Sequence, residues 1–283
     1  MKPRLPLRLL SLAASASLLV AGADCAEQAE PDCTVPASGT FPTRLVVVDN
    51  PQNCPVQAGI VISTRPYYVL DGDGDVDYDQ PFRVAIQTEE MGAAYQRVEE
   101  SPGRLPPGVT AESLLNGPLY AFGQLSAPRP DDRNYCYIQT MAPANLNVPA
   151  IAGVPDDPAT EANEAQDPEP PLSLSAEWSD LTFLVTTAYP GVQFTGTLKY
   201  TKNGCTITYQ ATGVFANNQA SCATNDEQAP FYRAEGYNPA LCSPEPDFSQ
   251  GIAVGSGINP DFPIECDPVS RLCLLQGSFP AYK

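Results

Sequence analysis

The 283-residue chain has no histidine, one tryptophan, three methionines, and only 15 lysines and arginines against 33 acidic residues. Without histidine there is no Ser-His-Asp or Cys-His nucleophile system and no zinc site built on imidazole. No G-x-S-x-G, S-x-x-K, P-loop or Asp-Thr/Ser-Gly signature occurs either. A hydrolase working with two carboxylates survives these exclusions, although it has no local signature to search for. The basic residues form no cluster that could release counterions from a phosphate backbone, so no nucleic-acid partner is expected.

Long apolar runs are also scarce. One lies at Leu9–Val20, behind Lys2, Arg4 and Arg8 and ahead of Ala21-Gly22-Ala23. That order of charged, apolar and small residues predicts a secretory signal peptide over residues 1–23. The run is shorter than the ~20 residues a membrane-spanning helix needs. Cleavage after Ala23 removes three positive charges and no negative one, so the net charge of -18 becomes about -21. Such a surface repels anionic headgroups, leaving membrane association to a lipid on Cys25. Two readings of Cys25 stay open. Gly22 and Asp24 stand where a lipobox wants a Leu-like residue and a small one. Yet nine cysteines are an odd number for an exported chain, and setting Cys25 aside leaves eight for four disulfides. Short loops close at low entropic cost, which predicts Cys33 with Cys54, Cys205 with Cys222 and Cys266 with Cys273, leaving Cys136 for Cys242 by elimination.

Against these scarcities stand 31 prolines and 20 glycines. They cut the chain into short segments rich in Val, Ile, Thr, Tyr and Phe, which predicts a mainly β fold: a disulfide-stapled antiparallel sandwich or barrel-like sheets with long loops. Strands are expected at residues 44–49, 59–64, 67–70, 82–88, 120–125, 134–140, 181–187, 192–202 and 205–215, with one short helix from Ala111 capped by Thr110. Asn203-Gly204 marks a two-residue hairpin and sets Lys202 opposite Cys205. In that register Phe194, Leu198, Tyr200, Ile207 and Tyr209 share a buried face, while Gln193, Thr195, Thr197 and Thr212 share a wet one. Residues 154–172 carry six acidic residues and five prolines with almost no apolar side chain. They read as an acidic linker or disordered loop between β-rich parts at 24–153 and 173–283, whether these are two domains or one.

The segment LDGDGDVDYDQP sets Asp71, Asp73, Asp75, Asp77 and Asp79 at alternate positions. With Gly74 at position 6 of a calcium loop, the first four aspartates take positions 3, 5, 7 and 9, but Val69 falls at position 1 and Gln80 at position 12. Strand-like flanks and Pro81 favour an acidic turn between two strands, with weak calcium binding as the alternative.

The segment INPDFPIECDPVSRLCLLQGSFPAYK, the EPDCTV run and the NGC hairpin resemble a group of myxobacterial envelope lipoproteins. The likeness covers under a third of the chain and implies an outer-membrane or cell-surface location with a lipid on Cys25; without the lipid the protein would be periplasmic or secreted. It carries no activity and no catalytic residue. The expectation is therefore a non-enzymatic envelope protein with a structural role or a protein or glycan partner. A calcium-dependent glycan-binding module using the acidic turn with Tyr67, Tyr68 and Tyr78 is the first alternative, and a carboxylate-pair hydrolase the second. Trp178 suits sugar stacking or, more simply, a core.

Overall fold

Asn203 and Gly204 both adopt positive φ, 51° and 79°, as a type I′ turn requires. Lys202 accordingly pairs with Cys205, and the ladder runs back to Gln193 opposite Val214. From this hairpin the rest of the sheet can be followed in a computed structural model that describes residues 31–114, 118–155, 166–218, 220–224 and 236–283. The strands are β1 (Thr40–Asp49), β2 (Gly59–Tyr67), β3 (Arg83–Thr88), β4 (Ala121–Gln124), β5 (Tyr135–Ala142), β6 (Ala144–Val148), β7 (Leu172–Val185), β8 (Pro190–Lys202), β9 (Cys205–Val214), β10 (Ile264–Asp267) and β11 (Leu272–Leu275). Two helices, α1 (Glu89–Glu99) and α2 (Ala111–Leu114), lie between β3 and β4.

The sheet closes on itself. From β1 to β5 each strand pairs antiparallel with its predecessor, β5 also pairs with β7, and β9 returns to β1. The result is an eight-stranded antiparallel barrel, with β6 prolonging β5 beyond Pro143 along the first half of β7. Strands from both sides of residues 154–172 build this one sheet. Residues 31–283 form one unit, and the described flanks of the acidic segment bridge to each other at Ile151–Glu169 and Val154–Gln166. Tyr67–Leu70 is not a separate strand, because β2 runs through Pro66 to Tyr67. Beyond Ser63 that strand has a ladder partner on one side only, where a missing N–H is tolerated.

Alternation fills the barrel with side chains. Phe194 sits at its centre, with ring centroids 5.5 Å from Phe41, 5.7 Å from Phe183 and 6.1 Å from Trp178. Trp178 is 2% exposed and serves the core. On β7 the inward set changes phase from Leu174, Ala176 and Trp178 to Leu181 and Phe183. The shift occurs at a bulge where Asp180 takes φ 53°. Gly213 faces Phe194 so closely that a Cβ there would lie 2.1 Å from its ring.

The missed helix α1 carries Met91, Ala94 and Val98 into the same core, and Thr88 caps it by accepting the Met91 N–H. On the outside, the C-terminal lobe holds a second cluster that includes Leu241, Ile258, Phe262 and Leu275. Its β11 lays Leu272 and Leu274 against Val61. Gln193 exchanges two hydrogen bonds with the backbone of Ala281, at 2.9 and 3.0 Å. The expected wet face of β8 and β9 is therefore wet only towards the hairpin turn, since Gln193 and Thr212 are buried.

None of the four expected disulfide pairs forms. The bonds are Cys33–Cys136, Cys54–Cys205, Cys222–Cys266 and Cys242–Cys273. Ring closure explains the difference. It brings the loop after β1 to the start of β9, 151 residues away, and the N-terminal segment to β5, 103 residues away.

Gly213→Ala should displace Phe194 and cost ~1–3 kcal/mol of overpacking, lowering the melting midpoint by roughly 2–10 °C. Gly72→Ala is the control, because nothing lies within 4 Å of a Cβ added there. Circular dichroism melts showing equal shifts for the two variants would contradict this packing.

Candidate functional site

On the outer face of β2, Ser63, Arg65 and Tyr67 alternate with inward residues, and the ladder fixes their neighbours. Ser63 stands opposite Gln87, Arg65 opposite Ala85 and Tyr67 opposite Arg83. On the next strand Ala85 stands opposite Phe122, and Arg83 opposite Gln124. A small residue is thus ringed by long ones. The depression over Ala85, which is 5% exposed, encloses about 330 Å³ and is lined by Ser63, Arg65, Tyr67, Gln87 and Tyr120, with residues 37–39 as one wall.

Its aromatic side is continuous. Tyr67 meets Phe122 edge-to-face at 5.5 Å, and Tyr120 meets the other side of Phe122 at 6.1 Å. The Arg83 guanidinium lies 5.7 Å from the Phe122 ring centroid. Tyr67 and Tyr120 remain 43% and 40% exposed. Tyr68, the next residue, packs instead on buried Phe82 at 4.8 Å and faces exposed Tyr78 at 6.3 Å. Of the three tyrosines conspicuous in the sequence, the structure sets Tyr68 and Tyr78 apart as a pair and joins Tyr67 to Tyr120, Phe122, Arg65 and Arg83. Sequence reasoning missed these four as a site because they come from three strands, and nothing local fixes their register. Their alternation with buried residues was the available signal.

At the opposite end of the barrel α1 is latched to β8. Glu90 accepts hydrogen bonds from the Tyr200 hydroxyl and the Lys202 ammonium, both at 2.6 Å. Burial, then the bond to Glu90, drive the Tyr200 pKa far above the ordinary phenol value, so its oxygen is no nucleophile. A cavity of about 420 Å³ opens beside this latch, between the loop carrying Cys54 and the β8–β9 hairpin. Glu169 lines the neighbouring cleft together with Glu90 and is held by Arg97 at 3.1 Å.

The acidic stretch forms a tight turn in which Leu70 bridges to Val76 and the Asp71 N–H donates to the Asp75 carbonyl. The Asp71 carboxylate accepts the N–H groups of Asp73 and Asp75, at 2.9 and 3.0 Å, and Asp77 accepts that of Asp79. Asp79 also faces Arg129, at 3.7 Å. Among the described residues, no three carboxylates have oxygens within 4.8 Å of one another. The one group of potential ligands that close is Cys222, Cys242 and Cys273, whose sulfurs are in disulfides. The expected signal peptide and Cys25 lie outside the described residues.

The family model MlpA matches residues 41–216, the barrel from β1 to just past β9. Over 263 residues the chain is 27% identical to a Myxococcus xanthus protein named "Putative lipoprotein MlpA", a match covering 91% of this chain and 90% of that protein. No solved structure matches the chain.

Because Asp71 and Asp77 bond to their own turn and no three of the carboxylates converge, calcium should act on this protein only as added salt. Melts in millimolar calcium and magnesium at matched ionic strength should superimpose for the wild type and for the variant combining Asp71→Asn, Asp73→Asn and Asp75→Asn. A calcium-specific rise confined to the wild type would favour the calcium reading.

Proposed function

The chain belongs to the MlpA family, and we propose that it is a lipid-anchored envelope protein that binds a glycan through the outer face of β2, β3 and β4 and catalyses nothing. The name of the Myxococcus relative supports the anchor and, with it, the envelope location. The observation that carries the binding role is the depression over Ala85, walled by exposed tyrosines and floored by a small residue among polar ones. Aromatic edges and faces take up the apolar surfaces of a sugar ring, while the Ser63 hydroxyl and the Gln87 side-chain carbonyl offer its hydroxyls hydrogen-bonding partners. Calcium is not needed for such a face. A catalytic role is disfavoured by the carboxylates themselves. Glu90 is committed to Tyr200 and Lys202, and Glu169 to Arg97, so neither is placed to hand a proton to a leaving group.

Affinity electrophoresis through gels containing a soluble polysaccharide tests the role, using dextran and the polygalacturonate pair described below. Retardation should appear in at least one gel, and Tyr67→Ala with Tyr120→Ala should abolish it while leaving the melting temperature within a few degrees. Retardation that persists in this variant would refute the site.

A further inference from the structure

We infer that the ligand of this face is an acidic saccharide, one bearing carboxylates such as a uronic acid polymer; the inference rests on the glycan reading above and specifies its chemistry. The chain carries more than twice as many acidic as basic residues, so a basic side chain has carboxylates within easy reach. Most of the described cations use them or backbone carbonyls. Arg97 pairs with Glu169, Arg129 with Asp32 and Asp79, Lys199 with Glu177, and Lys202 with Glu90. Arg44 donates to the Gly277 carbonyl, and Arg104 to those of Ala152 and Asp167.

Among the described residues the side chains of Arg65, Arg83, Arg133 and Lys283 make no hydrogen bond or ion pair; of these only Arg65 and Arg83 lie on paired strands of the sheet, and Arg83 has only its contact with the Phe122 ring. These two stand side by side on paired strands, Arg65 opposite Ala85 and Arg83 opposite Tyr67. No residue lining the depression is acidic. A strongly anionic protein therefore has no acidic side chain among the described residues that line this depression, and leaves the donors of Arg65 in the lining and of Arg83 beside it, opposite Tyr67, unspent. A guanidinium binds a carboxylate through two parallel N–H···O bonds. Tyr67 and Tyr120 can hold the ring of the same sugar. The acidic turn lies past Tyr67, outside the lining, and bounds the patch at that end. Neutral sugars would use the tyrosines and leave both guanidinium groups idle; phosphates would use the guanidinium groups and leave the aromatic walls idle.

The probe is polygalacturonate against the same polymer with its carboxyls methyl-esterified, which keeps the ring and removes the charge. The readout is affinity electrophoresis or calorimetry with the whole exported protein. Polygalacturonate should bind roughly tenfold or more tightly than its ester, as expected for charge-assisted hydrogen bonds. Arg65→Gln with Arg83→Gln should erase that preference, so that the two polymers bind the variant equally. Raising sodium chloride to 0.5 M should weaken only the charged polymer. Equal or tighter binding of the ester by the wild type would overturn the acidic assignment and leave the glycan reading standing. A preference for polygalacturonate that survives in the double arginine variant would overturn the assignment to this face. Failure of the wild type to bind either polymer or dextran would refute both.

Discussion

The ladder between β5 and β7 is the contact on which the rest depends. Without it the strands form an open sheet whose apolar face would need a second layer. With it, that face turns inward and the layer is the sheet itself. An eight-stranded ring is just wide enough to be filled by its own side chains. Phe194, Trp178, Phe183 and Phe41 do the filling, and Gly213 gives Phe194 its space. A filled interior also leaves no room for a ligand at the barrel's centre. With its centre occupied, the barrel has only its ends and its outer face to offer, and the C-terminal lobe covers the outer face at β1, β2 and β9. The aromatic patch of β2, β3 and β4 lies clear of it.

How much of this was legible in the sequence varies with how local the determinant is. The β8–β9 hairpin could be read rung by rung because Asn203-Gly204 fixes both conformation and register in two residues. Class was legible too, since proline and glycine density with β-branched segments leaves little room for helices. Helix α1 is written in the spacing of Met91, Ala94, Tyr95 and Val98. It was masked by Gly92 and by following directly on a strand. The first half of β7 alternates cleanly at Leu174, Ala176 and Trp178, but it emerges from a proline-rich acidic segment, and the bulge at Asp180 breaks its phase.

Long-range pairings were not legible. The disulfides show this most clearly, because loop-closure entropy favours near neighbours while the folded ring sets the actual distances. Cys33 and Cys54 are closer in sequence than either is to its partner, yet they sit on different seams of the barrel. The aromatic patch shares the difficulty. Arg65, Ala85 and Phe122 form one row across three strands, and only strand pairing aligns them. The acidic turn drew attention because its pattern is contiguous, and its own backbone takes up the carboxylates of Asp71 and Asp77.

The Cys33–Cys136 bond has a mechanical consequence. A pull on the chain ahead of Pro31 does not reach β1 first. It passes at Cys33 through a covalent link into β5, a strand flanked by ladders with β4 and β7. Peeling a strand from its end breaks hydrogen bonds one at a time, whereas loading a strand held on both sides strains many at once. The bond therefore gives the molecule a reinforced point of loading at its N-terminal side, where a pull is shared across the sheet before any single strand can peel.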